Sequence, residues 1–460
     1  MQDYSKLYQY IDDHAEEYIA LLQQFCRQPS ISAQNMGLRE MAQLIMQTLQ
    51  NMHAQTDLVE TGGAPIVYAE WAGRNPSRTV TFYNHYDVQP VEPLDEWESD
   101  PFGAQIRNGK LYARGATDNK GSLLSRLCAV MACQAVYGQP ALNVKLIYEG
   151  EEEIGSPHLA EFARRYPQRL QTDGFAWEGG SKQLGGPLEV CFGTKGMLFV
   201  ELRCRTASAD QHSSKAAIVK NPAWRLVQAL ATMKDAQDHI TIDGFYDSVR
   251  PLTDYERECL KTLCFDEAAN RERMGLDEYI NGLTGLPLLE KFYYEPTANI
   301  AGFRAGETGP SAKTVLPASA SVAMDFRLVP DQMPQEIFQR IREHLDRRGF
   351  TDVELVLRSG EPPYRADPLS LFGRTVIRCV KPVYGMEPEV FAGAADTTAL
   401  YQFCHGTGLD AVLFGAGNDG ANIHAPNENI ILEDYIHAIK LAATVMEEFA
   451  LADTEAAARI

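Results

Sequence analysis

In this 460-residue chain, short apolar stretches repeatedly give way to a turn that carries an imidazole or a carboxylate. The positions are His85, Asp118, Glu152 with Glu153, Glu178 and, far downstream, His424. That arrangement constrains the fold. Buried strands that end on chemistry-bearing residues suit an open α/β sheet, which presents ligands and catalysts at one edge. Strands are expected over residues 66–71, 79–83, 144–148 and 175–177, and helices over 5–27, 38–52, 119–137 and 157–166. The alternation implies a mostly parallel sheet with helices on both faces.

Near residue 187 the rhythm changes. Residues 188–192 and 198–203 read as antiparallel strands, 222–233 and 334–348 as helices, and 321–328 and 353–357 as further strands. Residues 240–299 are Tyr-rich and charged and fit no α/β rhythm. From about residue 366 the α/β pattern returns, ending in a helix over 432–450. The tail 453–460 is expected to fray. The expected organisation is an α/β catalytic domain, 1–190 and 366–460, with a smaller α+β domain, 191–365, inserted into it.

Composition narrows the function class. The chain has 42 Lys plus Arg against 62 Asp plus Glu, a formal charge of −20. So acidic a surface repels nucleic acid and anionic lipid. Nine scattered cysteines without a C-x-x-C pair argue against a disulfide framework or a zinc finger and for a reducing compartment. The first residues lack a basic n-region and an apolar run, and no stretch approaches the ~20 apolar residues of a spanning helix. A cytoplasmic protein is expected, with no nucleic-acid or membrane partner.

Each candidate site residue has a plain structural alternative. His85 and Asp87, two apart at a strand end, point the same way, and a carboxylate beside a metal-binding imidazole fixes its tautomer; a surface His near an acid is the bland reading. Asp118 precedes a helix, where Asp is a common N-cap, yet a carboxylate with two free oxygens also bridges two cations naturally. Glu149, Glu151, Glu152 and Glu153 crowd one strand end, and like charges that close are costly unless cations neutralise them. Adjacent glutamates suit divided labour, one binding metal and one taking a proton from water. Residues 415–428 form a Gly-rich loop leading to His424, but the Lys of a phosphate loop is missing.

Taken with their flanks, these residues resemble the family-20 metallopeptidases, which include carnosinase-type dipeptidases, aminoacylase, succinyl-diaminopimelate desuccinylase and glutamate carboxypeptidase. The likeness spans nearly the whole chain and is carried by NHYDVQP, WESDPF, LYARGATDNKG, EGEEEIGS and HAPNENI. It implies a dinuclear zinc-peptidase-like catalytic domain with an inserted lid and dimerisation domain. The implied metal ligands are His85, Asp118 as the bridge, Glu153, Glu178 and His424, with Glu152 as general base and Asp87 orienting His85. The implied cofactor is a pair of divalent ions, zinc in most members and manganese or cobalt in some.

In the inserted domain the D-x-H-S match makes His212 an oxyanion donor, often contributed across a homodimer. The stretch 325–330 resembles the family strand whose Arg holds a substrate carboxylate, which implies that task for Arg327, and a bidentate fork suits it. Gly393 would offer a backbone N–H beside it, and Lys195 reads as structural. The resemblance thus implies hydrolysis of an amide in a dipeptide or small peptide-like substrate with a free carboxylate, by a metal-activated water. The G-x-x-D form at Gly393–Asp396, nearer the desuccinylases, keeps an N-acyl amino acid deacylase open. A noncatalytic amino-acid- or peptide-binding homologue is the alternative of another class.

Overall fold

The computed structural model describes residues 2–452 except 308, 311 and 406; the tail 453–460 lies outside the described residues. Two compact units form. One comprises Met1–Gly193, Ala366–Ala392 and Gln402–Ile460, the other Thr194–Arg365 and Gly393–Tyr401. The second unit therefore takes in a segment that the sequence pattern assigns to the first. Thr397 of that segment accepts a hydrogen bond from Arg327, and Ala394 bridges to Thr194.

In the first unit the strands are β1 (Gln55–Val59), β2 (Ile66–Trp71), β3 (Thr79–His85), β4 (Asn143–Glu149), β5 (Gly174–Trp177), β6 (Glu189–Cys191), β7 (Glu389–Phe391) and β8 (Ala411–Leu413). They make one sheet in the order β1-β2-β4-β3-β5-β8-β6-β7. The central run β4-β3-β5-β8 is parallel, whereas β2 joins it antiparallel and β1 pairs antiparallel with β2. Residues 188–192 do not pair with 198–203 as expected. Instead β6 runs parallel to β7 and touches β8, so this stretch lies within the large sheet beside its edge strand β7.

Successive residues of β3 face opposite sides. Phe82 lies under the Arg126 guanidinium of helix Lys120–Tyr137. Tyr83 looks the other way, stacking on Trp177 and meeting Phe403, which in turn meets Phe162 of helix Leu159–Arg165. Helices thus cover both faces. Lys120–Tyr137 is buried almost all round, which explains its apolar composition without a polar stripe. The expected helix over 5–27 is two helices, Ser5–Asp13 and Ala15–Arg27, because the backbone breaks at His14, whose ring stacks on Tyr10 and bonds its carbonyl.

Arg126 ties the strand ends together. Its Nη1 donates to Tyr83 O (2.6 Å) and Asn84 Oδ1 (2.8 Å), and its Nη2 to Trp177 O (2.6 Å) and Phe414 O (2.8 Å). One buried guanidinium therefore clamps the C-terminal ends of β3, β5 and β8, where carbonyls have no further ladder partner.

The second unit is an antiparallel sheet in the order Asn299–Ala305, Ser319–Leu328, Gly196–Arg205, Val353–Glu361. Alternate residues of the two central strands (Leu198, Val200, Leu202; Val322, Met324, Phe326) enter a core with Leu226 of helix Pro222–Leu230 and Ile337 and Ile341 of helix Pro334–Arg347. The stretch without α/β rhythm contains three helices, Asp254–Thr262, Glu267–Met274 and Gly285–Tyr294. The first starts with a capping box between Thr253 and Glu256.

Arg126→Met strands four buried acceptors. It is expected to cost about 3 kcal/mol or more, since each buried unpaired acceptor costs about 1–3 kcal/mol. A urea-denaturation midpoint unchanged from wild type would contradict the clamp.

Candidate metal centre

His85 closes β3, and its ring is held at both nitrogens. Nδ1 lies 3.1 Å from the Asp87 carbonyl oxygen and 3.2 Å from Asp87 Oδ1, while Nε2 faces Asp118 Oδ1 at 3.0 Å and Glu178 Oε2 at 3.4 Å. With Nδ1–H donated to Asp87, Nε2 is the nitrogen free to ligate. Asp87 does more than orient the ring. Its Oδ1 accepts from Glu152 N (3.2 Å) and its Oδ2 from Glu153 N (3.1 Å), so it also pins the turn that carries the two glutamates.

Asp118 is not an N-cap. Helix Lys120–Tyr137 is preceded by Asn119, and the two oxygens of Asp118 point instead at two imidazoles. Oδ1 faces His85, and Oδ2 lies 3.0 Å from His424 Nε2. His424 Nε2 is also 3.2 Å from Glu153 Oε2. The candidate ligands thus sort into two sets sharing Asp118: His85 with Glu178, and His424 with Glu153. His424 holds this position with φ +61°, a costly backbone conformation outside glycine.

The electrostatics are those of a site short of positive charge. Burial pushes the Glu178 carboxyl well above its usual range, and burial is also the largest cause that lifts Glu152 to about 7, against the pull of His85. Hydrogen bonds to Asp118 and Glu153 raise His424 to about 10. Burial opposes ionisation of Asp118, but hydrogen bonds from His424 and His85 outweigh it and hold its carboxyl low. Glu153 Oε1 and Glu178 Oε2 are buried without a hydrogen-bond partner. Carboxyl oxygens without a hydrogen-bond partner beside imidazole nitrogens fit divalent cations. Ligand atoms of His85, Asp118 and Glu153, and of His85, Glu152 and Glu178, lie within 4.8 Å of one another. Oxygen and imidazole donors without cysteine suit zinc, manganese or cobalt.

The four carboxylates of the EGEEE run have different partners. Glu149 accepts from Tyr83 and from Ser156 Oγ (2.7 Å). Glu151 pairs with His158 Nδ1 at 2.7 Å. Glu153 accepts from Gln89 Nε2 at 2.8 Å and faces His424. Of the four, only the Glu152 carboxylate has no hydrogen bond to its oxygens among the described residues, although its backbone is fixed by Asp87.

The remaining candidates lie in the second unit. His212 is exposed, and its Nδ1 accepts from Ser214 N at 3.2 Å, which places the neutral ring's proton on Nε2. Arg327 donates from Nη1 to Thr397 Oγ1 at 2.7 Å. A Cβ at Gly393 would stand 3.3 Å from Arg365 Nη2. Lys195 donates to the carbonyls of Phe292 and Glu295, both at 2.7 Å.

Two residues of the centre's framework escaped sequence reasoning, Arg126 and Glu428. Arg126 is a lone charge inside the apolar run GSLLSRLCAVMAC, a signal that could have marked it. Glu428 lies within HAPNENI, but an acidic residue in a polar loop gives no hint of burial.

A family model described as Peptidase family M20/M25/M40 matches residues 81–448. The Beta-Ala-His dipeptidase of Rattus norvegicus is 29% identical, the match covering 96% of this chain and 95% of that protein. A Cys-Gly metallodipeptidase of Schizosaccharomyces pombe is 26% identical over 97% of this chain and 98% of the other. Among solved structures, an M20 family metallo-carboxypeptidase from Sulfolobus solfataricus superposes with a TM-score of 0.88 at 38% identity, covering 95% of this chain and 99% of that one. With two imidazoles on opposite oxygens of one aspartate, and with a family model spanning most of its length, this chain belongs to peptidase family M20/M25/M40.

Proposed function

We propose that this protein is a metal-dependent dipeptidase that binds two divalent ions, zinc first among the candidates. The observation that carries the reading is the pairing of His85 and His424 with opposite oxygens of Asp118, with Glu178 and Glu153 beside them. Two bound cations would supply Lewis acidity, polarising the substrate carbonyl and easing deprotonation of water. His85, Asp118 and Glu178 would hold one, His424, Asp118 and Glu153 the other.

Glu152 is the general base. The other carboxylates of its run are committed to partners, whereas its oxygens are available while Asp87 fixes its backbone. Glu152 takes the proton of the attacking water and delivers it to the leaving amine. His212 donates Nε2–H to the developing oxyanion, a role its tautomer supports. Arg327, steadied by Thr397, grips the free carboxylate of the substrate, with the backbone near Gly393 assisting.

The relatives named as dipeptidases do not favour N-acyl amino acids as substrates. The likeness to a metallo-carboxypeptidase favours one second reading, removal of the last residue from longer peptides by the same centre. No helix among the described residues is long and apolar enough to cross a membrane. Nine cysteines without a disulfide among the described residues support a reducing compartment, the cytoplasm.

A homodimer is part of the proposal. Strand Asn299–Ala305 is an open sheet edge with Ile300 and Phe303 exposed, and helix Pro222–Leu230 turns Trp224 (66% exposed) and Val227 outward. Trp224→Asp should shift sedimentation from dimer toward monomer; a wild-type protein that sediments as a monomer refutes the dimer outright.

Glu152→Gln is expected to keep its metals and lose roughly 10²- to 10⁴-fold in kcat, the usual share of general-base catalysis. Turnover within tenfold of wild type would remove Glu152 from that role. After chelation the enzyme should be inert. Return of zinc, manganese or cobalt should restore hydrolysis of dipeptides well above that of N-acetyl or N-succinyl amino acids. Faster cleavage of tripeptides than of dipeptides would instead favour the carboxypeptidase reading.

A further inference from the structure

Glu428 is fully buried, four residues beyond His424, and no step of the proposed reaction uses it. Its carboxylate is saturated by donors from one distant loop. Oε2 accepts from Arg114 Nη1 (2.7 Å) and Gly115 N (2.9 Å), and Oε1 from Thr117 N and Asp118 N (both 3.0 Å). The backbone of Glu428 joins in, its carbonyl accepting from Ala113 N at 3.1 Å. Next along the chain, the Asn429 carbonyl accepts from Thr117 Oγ1 at 2.7 Å. Two loops more than 300 residues apart in sequence are thereby locked together. One ends on Asp118 and the other carries His424.

We infer that Glu428 is a positioning residue for the metal pair: by gripping the amides of Thr117 and Asp118 it aims the bridging carboxylate and sets the His424 loop against it. The inference rests on the proposed assignment of Asp118 and His424 as ligands. The physical argument is that a carboxylate can bridge two cations only if its plane is fixed, and rotation about the Asp118 backbone would turn one oxygen away from its metal. Among the described residues, the Asp118 side chain has no hydrogen-bonding restraint other than the two imidazoles themselves. A second anion next to an anionic ligand is tolerated because Arg114 and three backbone amides absorb its charge. Arg114 is itself fixed by donating to the Pro90 carbonyl from Nε and Nη2.

The test compares metal binding by full-length wild type, Glu428→Gln and Glu428→Asp, each below its own unfolding temperature. Zinc affinity is read by chelator competition and ligand geometry by the visible absorption of Co2+. Glu428→Gln replaces one acceptor by an amide NH2 that opposes donors. Glu428→Asp keeps the charge opposite Arg114 but shortens the reach to Thr117 and Asp118, so it guards against a Gln variant that does not fold. Both variants should bind the metal pair about 10- to 100-fold more weakly, the usual effect of losing an outer partner of a ligand, with an altered Co2+ spectrum. A purely structural Glu428 would lower the unfolding temperature and leave affinity and spectrum of the folded protein at wild-type values; that result overturns the inference. Wild type that binds neither ion overturns the ligand assignment itself, and the inference with it.

Discussion

Carboxylates that repel one another have been brought to a single sheet edge, and the rest of the first unit answers to that cost. Asp87, Asp118, Glu149, Glu152, Glu153 and Glu178 gather about two imidazoles, and burial lifts Glu149 to about 8 and Glu152 to about 7. A folded chain keeps such a cluster only where something else compensates. At the candidate ligand atoms the proposed cation pair would supply that compensation. The compensation around them is built into the chain.

That surrounding compensation uses one device twice. An anionic side chain grips two or three backbone amides of the loop that delivers the next anion. Asp87 holds the amides of Glu152 and Glu153. Glu428 holds those of Gly115, Thr117 and Asp118. Amide dipoles absorb charge without bringing in a mobile side chain, and they fix the direction in which the ligand leaves the backbone. Arg126 completes the frame from below. It is a buried cation whose hydrogen bonds run to carbonyls and an amide oxygen, so its charge is not cancelled by a contacting carboxylate. It lies where the carbonyls of β3 and β5 end, one or two residues before His85 and Glu178.

Much of this was legible from residue order alone, because strand ends with chemistry on them read directly. His85, Asp118, Glu152, Glu153, Glu178 and His424 converge although Asp118 and His424 are 306 residues apart. What local pattern could not supply was partnership. Asp118 reads as a helix cap because it precedes a helix; only a fold that brings His424 to its second oxygen gives it another employment. Residues 188–192 and 198–203 read as antiparallel strands, whereas β7, far downstream, offers 188–192 a parallel neighbour. Residues 240–299 hid three short helices because their polar, Tyr-rich faces carry no sustained period. Glu428 was invisible for the opposite reason: its donors are mostly backbone amides, which leave no mark on sequence.

The metal centre cannot by itself distinguish one amide from another, since the groups it offers address the scissile carbonyl and the attacking water. Discrimination must come from side chains that read what flanks the bond. In the second unit Arg327 and Arg365 are near enough to Lys195 to help burial push that ammonium down to about 8. Acidic residues stand among these cations: Glu256 accepts from Arg365 Nη1 at 2.8 Å, and Glu295 pulls the Lys195 ammonium back up. Arg327 spends one nitrogen on Thr397 and so arrives oriented, while Lys195, bound to two carbonyls, contributes field rather than contact. Under the proposed function Arg327 is the group that would take a free carboxylate, and Lys195 a neighbour that adds to its field.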